Sequence, residues 1–313
     1  MERIIKNLEH SLGPQIMAAL ADDQVVEVML NPDGLLWLER LGQGMEQIGR
    51  MDAMQARTVL NVMASAKDTT VTAESPVVEG ELPIDGSRFE GLLPPIVACP
   101  CFTIRKKART VFSLEQYVAS GIMPLPVQEI IEAAIAAHQN ILVVGGTGSG
   151  KTTLVNAIID AMSQLCPEDR LVIIEDTSEL QSRSKNTVFL RATAFVTIQQ
   201  LVRATMRLRP DRILVGEVRG GEALDLLKSW NTGHPGGVAT VHANSAAGGL
   251  IRLEQLIAEA SVSPMQTLIG EAVHVVIYIE RAPGIGRIIK EVITVSGFDP
   301  LNQQYNIEEL YHA

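Results

Sequence analysis

Nine consecutive residues, Gly145-Gly146-Thr147-Gly148-Ser149-Gly150-Lys151-Thr152-Thr153, have the types and spacing for phosphate chemistry. Four apolar residues precede them, Ile141 to Val144, and read as a strand buried on both faces. The glycines let the chain turn tightly with its N–H groups inward, because no Cβ blocks positive φ. Beyond Lys151, the residues Leu154, Val155, Ile158, Ile159 and Met162 form a helical stripe. The loop therefore ends at a helix N-terminus, where unpaired N–H groups and the macrodipole favour an anion. Gly146 to Thr153 would cradle a triphosphate, with the Lys151 ammonium at the β/γ-phosphates and the Thr152 hydroxyl on Mg²⁺. The pattern implies a chain that binds a nucleoside triphosphate.

Phosphoryl transfer also needs a group that orients water, a metal, and positive charge on the phosphates. Glu175-Asp176 follows the apolar run Leu171–Ile174, and Glu217 follows Ile213–Gly216. Both would lie near the loop's mouth if their strands neighbour strand 141–144. Gly216 stands where many P-loop enzymes carry a Mg²⁺-liganding Asp. Metal contact then falls to Thr152, with Glu175 or Glu217 acting directly or through water. His234 and His242 bracket the run from Pro235 to Val241 and read as a pair that senses the γ-phosphate or meets a neighbouring subunit. Eight residues apart across a strand, they do not suit one metal ion. Arginines crowd the third strand (Arg203, Arg207, Arg209, Arg212, Arg219), while Arg88 and Arg105 lie far upstream. An arginine at the phosphates is worth about 10³–10⁵ in rate, so some arginine is expected to reach them.

The elements that must position these groups fall into two blocks, as a length of 313 residues favours. An amphipathic helix over 1–20, a hairpin of Val25–Leu30 and Leu35–Leu38 around Asn31–Gly34, a helix over 52–66 and extended runs from Pro76 to Ile104 make a small α+β domain, 1–105. The basic run from Arg105 to Arg109 and a capping box, Ser113 to Gln116, mark a linker at 106–124. From 125 to 313, helices alternate with buried strands at 141–144, 171–174, 213–215, 238–241 and 273–279. Such alternation predicts a largely parallel sheet wrapped by helices, with ligands at the strands' C-terminal ends. The fold class expected is α/β.

Bulk composition narrows the surroundings. Net charge is −10 and aromatics are 4%, which argues against a chain coated for strong nucleic-acid binding. Cys99, Cys101 and Cys166 form no CxxC pair, so a zinc knuckle or disulfide framework is not expected and a reducing cytosol is. No run approaches about 18 uninterrupted apolar residues, and the N-terminus lacks a signal peptide's apolar block.

Taken in order, Thr72 to Pro76, Gly86 to Phe89 with Leu93-Pro94-Pro95, Phe102 to Lys106, the P-loop, Ile174 to Thr177, Arg209 to Gly220 and Thr232 to Asn244 resemble the secretion ATPases of type IV secretion and conjugation systems, above all the TrbB-type conjugal transfer ATPases. The resemblance spans about residues 20–280. It implies a C-terminal RecA-like P-loop domain behind the smaller α+β domain, with ATP and Mg²⁺ held between them. It also implies a hexameric homo-oligomer in the cytoplasm, peripheral to the inner membrane and docked on the membrane components of a secretion channel. In that family Glu217 matches the Walker B glutamate, Glu175 the acid of the Asp box, and His234 and His242 the His box, while Arg88 and Arg105 match arginines that reach the nucleotide. The expectation is a motor ATPase powering DNA transfer and pilus assembly. A DNA-translocating RecA-type helicase and a nucleotide-gated structural ring are the competing readings.

Overall fold

The computed structural model describes residues 2–41, 43–107, 111–193, 195–282 and 284–313. The chain divides into two compact units, Met1–Arg109 and Thr110–Ala313.

In the first unit the order is α1 (Glu2–Ala21), β1 (Val25–Leu30), β2 (Leu35–Arg40), β3 (Met45–Arg50), α2 (Ala53–Ala66), β4 (Val77–Glu81), β5 (Arg88–Leu92) and β6 (Cys101–Arg105). The helix expected over 1–20 forms but kinks, because Gly13 takes φ +79° and Pro14 follows it. Its leucines, Leu8 and Leu12, pack with α2 on one face of an antiparallel sheet ordered β3-β2-β1-β6-β5-β4. Period-two alternation sends Val28, Phe89 and Ile104 to that core. Glu27, Arg88 and Arg105 are thereby left on the opposite face.

The second unit continues α3 (Leu114–Ala119), α4 (Leu125–Ala136), β7 (Ile141–Val144), α5 (Lys151–Leu165), β8 (Leu171–Glu175), β9 (Thr187–Arg191), α6 (Ile198–Thr205), β10 (Arg212–Val215), α7 (Glu222–Asn231), β11 (Val238–Val241), α8 (Ala246–Ala258), α9 (Gln266–Ala272), β12 (Val275–Ala282), β13 (Gly286–Asp299) and β14 (Gln304–His312). The expected capping box opens α3, with Ser113 and Gln116 bonding reciprocally. Of the stretch 106–124 read as a linker, residues 108–110 lie outside the described residues. Its later part packs instead of connecting, since Leu114, Tyr117 and Met123 are buried in this unit's core.

The sheet runs β14-β13-β12-β7-β11-β10-β8-β9. It is parallel from β12 to β9, and antiparallel where β13 and β14 extend it. The central strands β7, β8, β10 and β11 are buried at every position, which is why they read as unbroken apolar runs. Asn140, fully buried, ties the N-terminal ends of β7, β11 and β12 together: its side chain donates to Ala272 O and accepts from Gly237 N, and its backbone N–H donates to His274 Nδ1. The sequence reading missed β3, β9 and α9, of which β3 and β9 are half-exposed edge strands without a buried run.

The strands that deliver Glu175 and Glu217 do not neighbour β7, because β11 lies between β7 and β10, and β8 lies beyond β10. At about 4.8 Å per strand, Glu217 leaves a strand roughly 10 Å from β7 and Glu175 one roughly 14 Å away.

Candidate nucleotide-binding and hydrolysis site

The phosphate loop leaves β7 and enters α5 through Gly150, which holds φ +102° as the helix N-cap. A left-handed backbone there suits glycine alone. Lys151 is buried, and its Nζ donates to Gly145 O at 2.9 Å, to Gly146 O at 3.0 Å and to His242 Nδ1 at 3.3 Å. An ammonium only donates, so Nδ1 of His242 accepts and the ring carries its proton on Nε2. That Nε2 meets Glu217 Oε1 at 2.6 Å. His242 therefore bridges the extra strand: it stands at the end of β11 and joins the loop's lysine to the glutamate one strand further out. Burial pulls the Lys151 ammonium below its ordinary value, while the Glu217 charge pushes it back up.

Glu217 is held from its other oxygen as well. Arg219 Nη2 forms a close ion pair with Glu217 Oε2, and Arg219 Nη1 donates to Asp176 Oδ2 at 2.6 Å. The backbone that follows Glu217 is pinned. Val218 N donates to Thr240 O, and Glu222 Oε1 accepts from the amides of Arg219 and Gly220. The chain thus runs Lys151–His242–Glu217–Arg219–Asp176 without a break.

Glu175 is engaged by the loop that follows it. Its Oε1 accepts the amides of Glu179 (3.0 Å) and Leu180 (2.8 Å), capping the loop that follows β8. Gly216 leaves room for it: a Cβ there would lie 3.1 Å from Glu175 Cγ. The missing Walker B aspartate is thus the space that a buried glutamate occupies.

His234 also parts company with the set. It precedes β11, at the end of the parallel sheet opposite the phosphate loop, and its Nδ1 sits 3.0 Å from Pro210 O. The strand between them keeps His234 and His242 at opposite poles, so His234 does not line this unit's phosphate loop. Among the arginines of the third-strand region, Arg203 makes a two-pronged contact with Asp225, and Arg212 is fully buried against Asp169. Arg219 alone of these stands in the chain that contains Glu217.

Arg88 and Arg105 face each other in register on β5 and β6. Glu27 pairs with Arg105 from β1, its Oε1 3.6 Å from Arg105 Nη2, and Glu81 pairs with Arg88 from β4. Two like charges directly opposite on a sheet repel, and a shared anion would relieve them.

One residue escaped the sequence reading. Arg287, on β13, lays its side chain along Gly150, with Cδ 2.9 Å from where a Cβ would stand. Its Nε is buried without a hydrogen-bond partner among the described residues, and so is Ser149 Oγ inside the loop. Two orphaned polar groups and a cation at a helix N-terminus fit a phosphate chain. No local signal marked Arg287, which follows Gly284 and Gly286 at the start of β13, 136 positions after Lys151. No helix is long and apolar enough to cross a membrane, and no cluster of three metal-ligating side chains occurs among the described residues.

The family model for type II/IV secretion system proteins matches residues 11–282. The chain belongs to that family. This type II/IV secretion system protein is 52% identical over 306 residues to the probable conjugal transfer protein TrbB of Sinorhizobium fredii (strain NBRC 101917 / NGR234), covering 98% of its own length and 93% of that protein. It is 51% identical to the conjugal transfer protein TrbB of Rhizobium radiobacter, covering 98% and 94%. A crystal structure of the pilus retraction motor PilT with bound ADP matches with a TM-score of 0.63 over 96% of this chain and 83% of the other. At 17% identity that match speaks for the fold alone. The resemblance drawn from the ordered motifs, and the α/β class with a smaller α+β domain in front, are borne out.

Proposed function

We propose that this secretion-family protein is a motor ATPase that hydrolyses ATP to power a type IV secretion or conjugation channel. The observation that carries the reading is His242, which links the phosphate-loop lysine on one side to Glu217 on the other. In this scheme Gly146 to Thr153 and Lys151 bind the triphosphate, and Thr152 holds Mg²⁺, which would offset phosphate charge and orient the terminal group. Glu217, held through one oxygen by His242 and through the other by Arg219, orients the attacking water and acts on Mg²⁺ directly or through water. Glu175 keeps its loop in place, and Arg88 and Arg105 contribute charge from the N-terminal unit. Their opposed placement supports that role.

Identity near one half to TrbB proteins over almost the whole chain supports conjugal DNA transfer and the associated pilus as the process served. A hexameric ring at the cytoplasmic face of the inner membrane, bound to the channel's membrane components, completes the proposal. The acidic balance favours a motor that drives the channel over one that threads the nucleic acid itself.

The decisive experiment compares ATP turnover by the natural protein and by Glu217→Gln. A general base contributes about 10²–10⁴ in rate, so turnover is expected to fall by that factor while ADP affinity holds. Equal rates would remove Glu217 from the reaction. Turnover that rises steeply with added DNA would favour the translocase reading instead.

A further inference from the structure

The stripe of α5 that faces the core contains a polar residue that the nucleotide chemistry does not use. Asn156 lies just over a turn beyond Lys151, is 2% exposed, and is flanked in sequence by Leu154, Val155, Ile158 and Ile159. A side-chain amide buried there is unfavourable unless it makes compensating hydrogen bonds. Asn156 makes them to a stretch of chain without regular structure. Its Nδ2 donates to Glu179 O at 3.1 Å, and its Oδ1 accepts from Gln181 N at 2.8 Å. These are the two bonds that a residue on a neighbouring parallel strand would make around Leu180. Leu180 itself is buried in the same core as α5.

The same turn is also held from the end of β8 by Glu175, whose Oε1 takes the amides of Glu179 and Leu180. Side chains therefore hold three consecutive amides, 179 to 181. Asp176 lies in sequence between Glu175 and the anchored turn and receives Arg219, which in turn holds Glu217. The circuit closes on the helix where it began. Lys151, His242, Glu217, Arg219, Asp176 and the loop return to α5 at Asn156.

We propose that Asn156 is a positioning residue for hydrolysis: it latches the loop after β8 to the phosphate-binding helix and so sets where Asp176 and Arg219 hold Glu217. The proposal rests on the ATPase reading above for its kinetic consequence, but not for its structural one. Arg219 is half exposed, and a long exposed side chain keeps one geometry only when its partner is fixed. Asn156 touches neither the phosphate loop's backbone nor Lys151 among its hydrogen bonds. Its removal should therefore disturb Glu217 and spare nucleotide binding.

Asn156→Asp keeps the acceptor for Gln181 and turns the donor for Glu179 into a second acceptor, while Asn156→Leu removes both bonds at similar volume. Both variants are to be studied by amide hydrogen exchange, ADP binding and steady-state turnover on the full chain. The expected result is exchange at least about tenfold faster at 179–181 and also at 217–220, with the dissociation constant for ADP within about twofold. Turnover should fall about tenfold or more at unchanged KM, and Arg219→Ala should cost less in the Asn156→Asp background than alone, since the two act in series. Faster exchange confined to 179–181, or additive kinetic losses, would reduce Asn156 to a local loop tie and overturn the proposal. So would a loss of ADP affinity in step with turnover. If the natural protein turned over no ATP, the motor reading would fall, while exchange at 217–220 would still decide the latch.

Discussion

Arg287→Met tests the fit of a phosphate chain at the loop most directly, because it separates the apo protein from the nucleotide complex. The Arg287 stem lies against Gly150 and near the buried Tyr117 phenol, which burial pushes well above its ordinary value while the Arg287 charge pulls the other way. Methionine keeps most of that stem, so little apolar burial is lost. What disappears is a buried donor without a partner, worth about 1–3 kcal/mol, and a cation at the positive end of α5, worth about 0.3–1 kcal/mol. Both terms oppose folding of the apo unit. The Tm of its transition is therefore expected to rise, by about 2–4 °C for each kcal/mol in a unit of this size. With ADP the sign reverses. A charge-assisted bond to phosphate is worth about 1.5–3 kcal/mol, so ADP should bind about tenfold to a hundredfold more weakly. Calorimetric unfolding with and without ADP, together with titration calorimetry, reads both effects. A lower apo Tm with unchanged ADP affinity would refute the reasoning, since it would make Arg287 an ordinary packing residue.

Three further outcomes follow from the same geometry. Glu175→Gln retains an amide oxygen for the Glu179 and Leu180 amides and is expected to keep turnover within several-fold, whereas Glu175→Ala should lose about 1–3 kcal/mol of stability in chemical denaturation; loss of turnover beyond a hundredfold in Glu175→Gln would restore a direct role in catalysis. Arg88→Ala and Arg105→Ala are expected to lower kcat more than nucleotide affinity, because charge is wanted mainly in the transition state, and unchanged kcat in both would leave them as sheet-face charges. His274 accepts the Asn140 amide through Nδ1, and burial lowers its pKa below the ordinary value near 6.5. The unfolded chain then takes up this proton first, so stability present above about pH 6.5 is lost as pH falls below it, and His274→Gln should flatten that slope in urea titrations at pH 7, 6 and 5.

The sequence alone determined those parts of the protein whose physics is local. Gly150, Lys151 and Thr152 form a phosphate loop through backbone freedom and adjacency, so their roles are readable without a partner from elsewhere in the chain. The buried strands β7, β8, β10 and β11 announced themselves as apolar runs, and the Ser113 box as a helix start. The small edge strands did not, because a half-exposed strand has no hydrophobic signal to distinguish it from a loop.

Only the tertiary structure decided which acid meets the lysine. Glu175 and Glu217 look alike in sequence, each following a buried strand, but strand order sets one about 10 Å and the other about 14 Å from β7. His242 spans the shorter gap, and Glu175 turns to its own loop in the space left by Gly216. Strand order likewise sent His234 to the far pole of β11 and brought Arg287, 137 positions downstream, against Gly150. Such meetings depend on how nonlocal strands pair, and no local pattern of residue types encodes that pairing.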